Sequence, residues 1–189
     1  MIRKFINSLL ERFGVLEPIK QENQPCYDKY GRFIGWYSRS IAVALFIFCK
    51  DKDGEWCVLG SERGKDAADF QGYWNCVCGY LEFGDSLKHA AQRECNEELG
   101  LWLNQDDFVF VGYNDSPKEN RQNVTMRYAY ADHEHVTTDF TFSKKLNEGN
   151  EVGEIAWIRL QDIDKYKWAF NHDKRIVEIF ANLKKHELI

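Results

Sequence analysis

Three carboxylates, Glu94, Glu97 and Glu98, stand three and four residues apart in the run Arg93-Glu94-Cys95-Asn96-Glu97-Glu98-Leu99-Gly100. On a helix that spacing projects all three toward one side. Gathering them costs Coulomb energy unless a cation lies among them. Arg93, four residues before Glu97, offsets part of the repulsion, but one guanidinium cannot neutralise three acids. The chemistry this suggests is oxygen ligation of a hard divalent ion such as Mg²⁺ or Mn²⁺. An isolated Glu-x-x-Glu-Glu run is by default a solvated helix face. Here Leu87, Ala91, Cys95 and Leu99 form an adjoining apolar stripe, which sets the acids beside a core surface. A glycine-bounded loop, residues 79–86, leads into the helix as the floor of a cleft would.

Residues 79–101 resemble the Nudix box of the Nudix hydrolase superfamily: a Gly, five residues, an acid, seven residues, then Arg-Glu-apolar-x-Glu-Glu-x-Gly-apolar. Gly79, Arg93, Glu94, Glu97, Glu98, Gly100 and Leu101 match at their spacings, with Cys95 in the apolar position. Two positions depart from the pattern. Asp85 replaces the Glu that supports the loop–helix junction, which alters geometry there. The usual Pro-Gly-Gly approach is Val77-Cys78-Gly79, which leaves the backbone carbonyl of Cys78 where the family commonly supplies a metal ligand.

The resemblance implies an α/β/α sandwich around a mixed β-sheet and a hydrolytic reaction. Water, activated by Mg²⁺ or Mn²⁺ and a carboxylate, attacks one phosphorus of a diphosphate linkage. It implies Glu94, Glu97, Glu98 and the Cys78 carbonyl as metal ligands, with Arg93 orienting the acids. The general base is open between Glu94 and Glu98 in the box and a Glu from a later loop, residues 147–154, which offers Glu148, Glu151 and Glu154. By family frequency the substrate class is a nucleoside diphosphate derivative: a nucleotide sugar, a dinucleotide or a nucleoside triphosphate.

The elements that must position these groups follow from periodicity. Ile2, Phe5, Ile6, Leu9, Leu10 and Phe13 recur at helical spacing, so residues 1–14 read as an amphipathic helix docked on the core or on a second subunit, which is compatible with a homodimer. Polar, turn-rich sequence then connects to a domain over residues 37–189, with residues 1–36 as an N-terminal segment. Strands are predicted at 40–48, 56–60, 73–78, 108–113, 124–131 and 155–158, and helices at 86–99 and 174–185. Strands interleaved with two main helices indicate an α/β layered sandwich.

Around the box, Arg63 and Lys65 could meet phosphate oxygens, and Phe70, Tyr73 and Trp74 flank the cleft and could stack on a base. His133 and His135 share a strand face but lack a third ligand, so a polar strand end is the expectation; the stretch from Trp168 to Asp173 is assigned to packing. The net charge of -5 argues against stable nucleic-acid binding, whereas a bound cation would still admit a phosphorylated substrate. Six cysteines at non-scaffold spacings read as reduced thiols of a cytoplasmic protein, and no stretch is long enough to span a membrane.

Two other functions fit parts of the chain. Trp74-Asn75-Cys76-Val77-Cys78-Gly79 is similar to the catalytic-cysteine stretch of isopentenyl diphosphate isomerase, which shares the Nudix fold, although Tyr80 stands where that enzyme has His and its later Glu-rich motif is not found in residues 124–131. A nucleotide sensor that keeps the fold without turnover is the non-enzymatic alternative.

Overall fold

A computed structural model of the chain describes residues 23–143 and 150–189. The helix expected over residues 1–14, and Glu148 in the later loop, lie outside the described residues. The chain divides into two compact units at Arg39/Ser40. In the first, β1 (Gln24–Tyr27) and β2 (Phe33–Tyr37) form an antiparallel hairpin where the sequence reads as a connection. Its turn is closed by Asp28, whose Oδ1 accepts from the backbone N–H groups of Tyr30 and Arg32.

The second unit holds β3 (Ser40–Lys50), β4 (Trp56–Arg63), β5 (Trp74–Asn75), β6 (Val77–Tyr80), α1 (Leu87–Leu99), β7 (Val109–Asn114), β8 (Asn123–Val136), β9 (Val152–Arg159) and α2 (His172–Lys185). The seven strands make one mixed sheet: β3 runs parallel to β8 and antiparallel to β4 and β6. Eight consecutive buried residues in β3, Ala42 to Cys49, make it the spine, because both faces of this strand are covered. Val43, Leu45 and Ile47 pack with Ala90, Ala91, Cys95 and Leu99 of α1. Ala44, Phe46 and Phe48 pack with Ile176, Ile179 and Leu183 of α2. The result is an α/β/α sandwich. Among the described residues no helix is long and apolar enough to cross a membrane.

Helix α1 begins and ends where its capping residues place it. Ser86 Oγ accepts from the His89 N–H at 3.2 Å, and Gly100 closes the helix at φ 70°, its N–H donating to the Asn96 carbonyl. A side chain at Gly100 would also strike Ser143, 2.6 Å from its carbonyl oxygen, so both conformation and space require glycine.

Candidate active site

The sheet forks beside α1. Strand β3 takes β4 as partner only over Phe48 to Lys50 and β6 over Ala42 to Leu45, while β4 goes on to pair with β5 and β9. Cys76 is the step from β5 to β6, so the segment predicted as one strand is broken there. Side chains answer its backbone groups. The N–H donates to His172 Nδ1 at 3.0 Å, and the C=O accepts from Asn75 Nδ2 at 2.9 Å. Asn75 in turn accepts from Ser61 Oγ at 3.3 Å and lies 3.4 Å from Cys78 Sγ. His172 is held down at about 3 by burial and then by the charges of Arg127, Arg63 and Arg175, so its ring is neutral and has a lone pair to offer.

At the other side of the fork, Arg93 organises the loop and helix. Its Nε donates to Asp85 at 3.1 Å, one terminal nitrogen to the Tyr80 carbonyl at 2.9 Å, and the other to Glu94 Oε1 and Glu97 Oε2, each at 2.9 Å. Asp85 is bonded also by His89 at 2.7 Å, and these two donors hold its carboxyl below the usual range. Asp85, one methylene shorter than the family's Glu, thus bridges the loop and the second turn of α1.

The backbone N–H of Cys78 lies toward the carboxylate of Glu98 and favours its charged form. The Leu81 N–H bonds the Ile41 carbonyl, so by antiparallel alternation the N–H and C=O of Cys78 both point away from β3. The Cys78 carbonyl therefore faces the edge where Glu98 sits. Glu98 Oε2 is closed off from solvent and has no hydrogen-bond partner. Burial, and then the neighbouring Glu94, push its carboxyl well above the ordinary range against the pull of the Cys78 N–H and Arg63. Burial raises Glu94 as well. Glu94 occupies the space a side chain at Gly79 would fill, which is why β6 and α1 can approach so closely here.

An orphaned, buried carboxylate oxygen beside a second raised carboxylate and an edge-facing carbonyl is a donor set suited to a hard divalent ion. The three acids do not converge as the helical spacing suggested. Glu97, with a side chain 45% exposed, is turned to Arg93, and the guanidinium stands between it and Glu94. Among the described residues no group of three or more His, Cys, Asp or Glu side chains is gathered around one point.

Arg63 ends β4 with its guanidinium on Asp69, 2.9 Å to the carbonyl and 2.6 Å to Oδ1, and over the Phe170 ring at 5.1 Å; its charge reaches Glu98. Beside it opens a depression of about 660 Å³ lined in part by Arg63, Lys65, Gln71 and Gly153. The backbone of Glu151 accepts from Gly64 at 2.6 Å, and its carboxylate charge also reaches Glu98, which brings the later loop to the site; Glu154 is exposed on β9. Phe70 keeps an exposed ring against Tyr73 and Phe170.

Trp74 is a correction: it is buried with its ring on Tyr166, because its backbone is zipped to Lys167 and Ala169, and it is not open for stacking. His133 and His135 lie at the end of β8, bonded to the Leu188 carbonyl and to Asp132. Cys49, Cys57, Cys76, Cys78 and Cys95 are free thiols.

The NUDIX domain family model matches residues 39–180. The chain is 29% identical over 144 residues to an isopentenyl-diphosphate Delta-isomerase of Dictyostelium discoideum, covering 66% of this chain and 56% of that relative. It is 29% identical over 119 residues to the nucleoside triphosphatase NudI of Escherichia fergusonii, covering 58% and 75%. The first of these relatives is thus spanned for little more than half its length. Among solved structures it resembles the NUDIX domain of Shewanella oneidensis NrtR, complexed with ADP ribose, at TM-score 0.63 and 18% identity, over 83% of this chain and 94% of that one. A match over most of the second unit, together with the forked sheet and the α1 acids, leads to one conclusion: this chain belongs to the NUDIX domain family.

Proposed function

We propose that the chain is a metal-dependent pyrophosphohydrolase that cleaves a diphosphate linkage in a nucleoside diphosphate derivative. The observation that carries this reading is Glu98, a carboxylate taken out of water with one oxygen unpaired, at an edge that also presents Glu94 and the Cys78 carbonyl. Those three groups would hold the ion. A bound Mg²⁺ or Mn²⁺ neutralises phosphate-oxygen charge and acidifies a water. Arg93 fixes Glu94 and the loop through Tyr80 and keeps Glu97 as the outer carboxylate. The unpaired Glu98 Oε2 is our candidate to take the proton of the attacking water, and Glu151 is the second candidate for that role. Arg63, already oriented by Asp69, would meet the phosphates of the substrate.

The test is turnover of a panel of nucleotide sugars, dinucleotides and nucleoside triphosphates in ¹⁸O-water with Mg²⁺ or Mn²⁺, read by mass spectrometry. Two phosphate-bearing products with one ¹⁸O, lost with a chelator and regained on adding the ion, are expected. No turnover of any member, with tight binding of one, would instead favour the sensor.

The isomerase reading is supported by the similarity to the Dictyostelium discoideum enzyme and by Cys78, whose thiol lies beside Asn75 and in the field of Glu98. Burial, and then Glu98, push that thiol up to about 12, so it remains an S–H at neutral pH and is no ready nucleophile. Because the backbone carbonyl survives substitution, Cys78→Ser should retain hydrolysis within a few-fold. Abolished turnover in a folded Cys78→Ser protein, together with an isomerised prenyl diphosphate product in the wild type, would replace the hydrolase reading with the isomerase.

A further inference from the structure

The sheet face that packs against α2 carries a cation the reading above does not use. Arg127 of β8 stands opposite Ala44 of β3 and Gly112 of β7. It is half-buried, and among the described residues its side chain has no hydrogen bond, ion pair or ring contact. Gly112 has open space where a side chain would stand, so the edge strand offers it no partner. Burial and the like charge of Arg175 both work against the guanidinium, with Glu119 and Glu178 opposing them. Both acids are already engaged by Arg175, at 3.2 Å and 2.7 Å, and the Arg175 Nε is itself enclosed without a partner. The field of Arg127, Arg63 and Arg175 adds to burial in keeping His172 neutral. A half-buried guanidinium without a side-chain partner, in the field of a second whose Nε is enclosed and unpaired, makes a place for an anion.

The position relative to the diphosphate follows from register. Cys78, Ala44 and Arg127 stand abreast on three neighbouring strands, so two strand spacings, roughly 10 Å, separate the backbones of Cys78 and Arg127. We propose that Arg127, backed by Arg175, is a second anion-recognition point, so that the substrate carries a phosphate or carboxylate set off from the scissile diphosphate by up to about 10 Å. The proposal rests on the hydrolase reading for where the diphosphate lies.

Matched probes test it: ADP-ribose against its 2′-phosphate, and UDP-glucose against UDP-glucuronate. In each pair only the remote anion differs. At least one anionic member should have a KM lower than its neutral partner by about tenfold or more, the worth of a charge-assisted fork. Arg127→Gln should bring that ratio to within about twofold, and Arg127→Lys, which keeps the charge and loses the fork, should fall between. Thermal melts check that both variants fold, and the Lys variant serves if the Gln variant does not. Preference confined to one pair identifies the anion as phosphate or carboxylate. Equal losses on both members of a pair would mean that Arg127 grips the shared diphosphate, and would overturn the proposal, as would a ratio that the substitutions do not move. Calorimetric titration of the same pairs with Ca²⁺ separates the two readings. An Arg127-dependent binding ratio without any turnover keeps this site and removes the hydrolase, whereas turnover without preference does the reverse. Absence of binding by every probe also overturns the proposal.

Discussion

Glu98→Gln should lower kcat by roughly 10²–10⁴-fold, the usual range for removing a positioned proton acceptor, while the protein melts at or above the wild-type temperature. The two halves of that result have one cause. The wild-type carboxylate is buried with an unpaired oxygen beside Glu94, so ionising it is unfavourable in the fold. Glutamine keeps the shape and the acceptor for the Cys78 N–H and drops the charge. The pH dependence follows from the upward shift of the carboxyl in the folded state. Its contribution to stability is fully present below the ordinary value of 4.5 and is lost as pH rises through the raised one. Between pH 4 and 8 the ion-free wild type should therefore lose stability relative to Glu98→Gln, read as the difference between the two melting profiles, because the opposing rise from His172, held down at about 3, is common to both proteins. A variant with full turnover, or one that melts well below the wild type at neutral pH, would remove Glu98 from its proposed role.

Gly79→Ala is the second large effect. The added methyl would land on the Glu94 carboxyl, and no relief comes from the backbone, since the obstacle is a side chain pinned by Arg93. Gly79 is not in a left-handed conformation, so the whole cost arises from this contact. Overpacking of that kind costs about 1–3 kcal/mol. Turnover should fall about 100-fold, the scale set by misplacing a catalytic group by an ångström. The double variant Gly79→Ala/Glu94→Asp separates the two consequences, because the shorter acid makes room. Its melting temperature should recover most of the loss and its turnover should not. Recovery of both would mean that Glu94 is structural only.

Much of the frame was legible because it is written in local chemistry. The limits of α1 follow from Ser86 and Gly100, and the spine strand from an apolar run no surface element could tolerate. The hairpin at 24–37 was missed because Pro25, Gly31 and Gly35 punctuate it as they would a loop, and its register bulges. The acids were read on the correct helix, but their spacing could not show that Arg93 takes Glu94 and Glu97 to itself while Glu98 turns to the edge of β6. That division depends on a strand's free edge, which is a property of the sheet and not of the helix. Trp74 was misread for a related reason: its burial comes from residues 166–169, far along the chain. His172 and Arg127 carry no motif, and their surroundings exist only once β5, β8 and α2 are assembled.

The bond from the Cys76 amide to His172 spans 96 residues of sequence. Closing so long a loop is entropically expensive and comes late in assembly, since shorter-range pairings such as β3 with β4 can form first. A nascent chain from which residue 172 has not yet emerged can hold its α1 acids and its spine strand, but the amide at the fork still lacks its acceptor. Competence for chemistry would then be acquired in the closing stage of folding, after the acids and the spine strand are already in place.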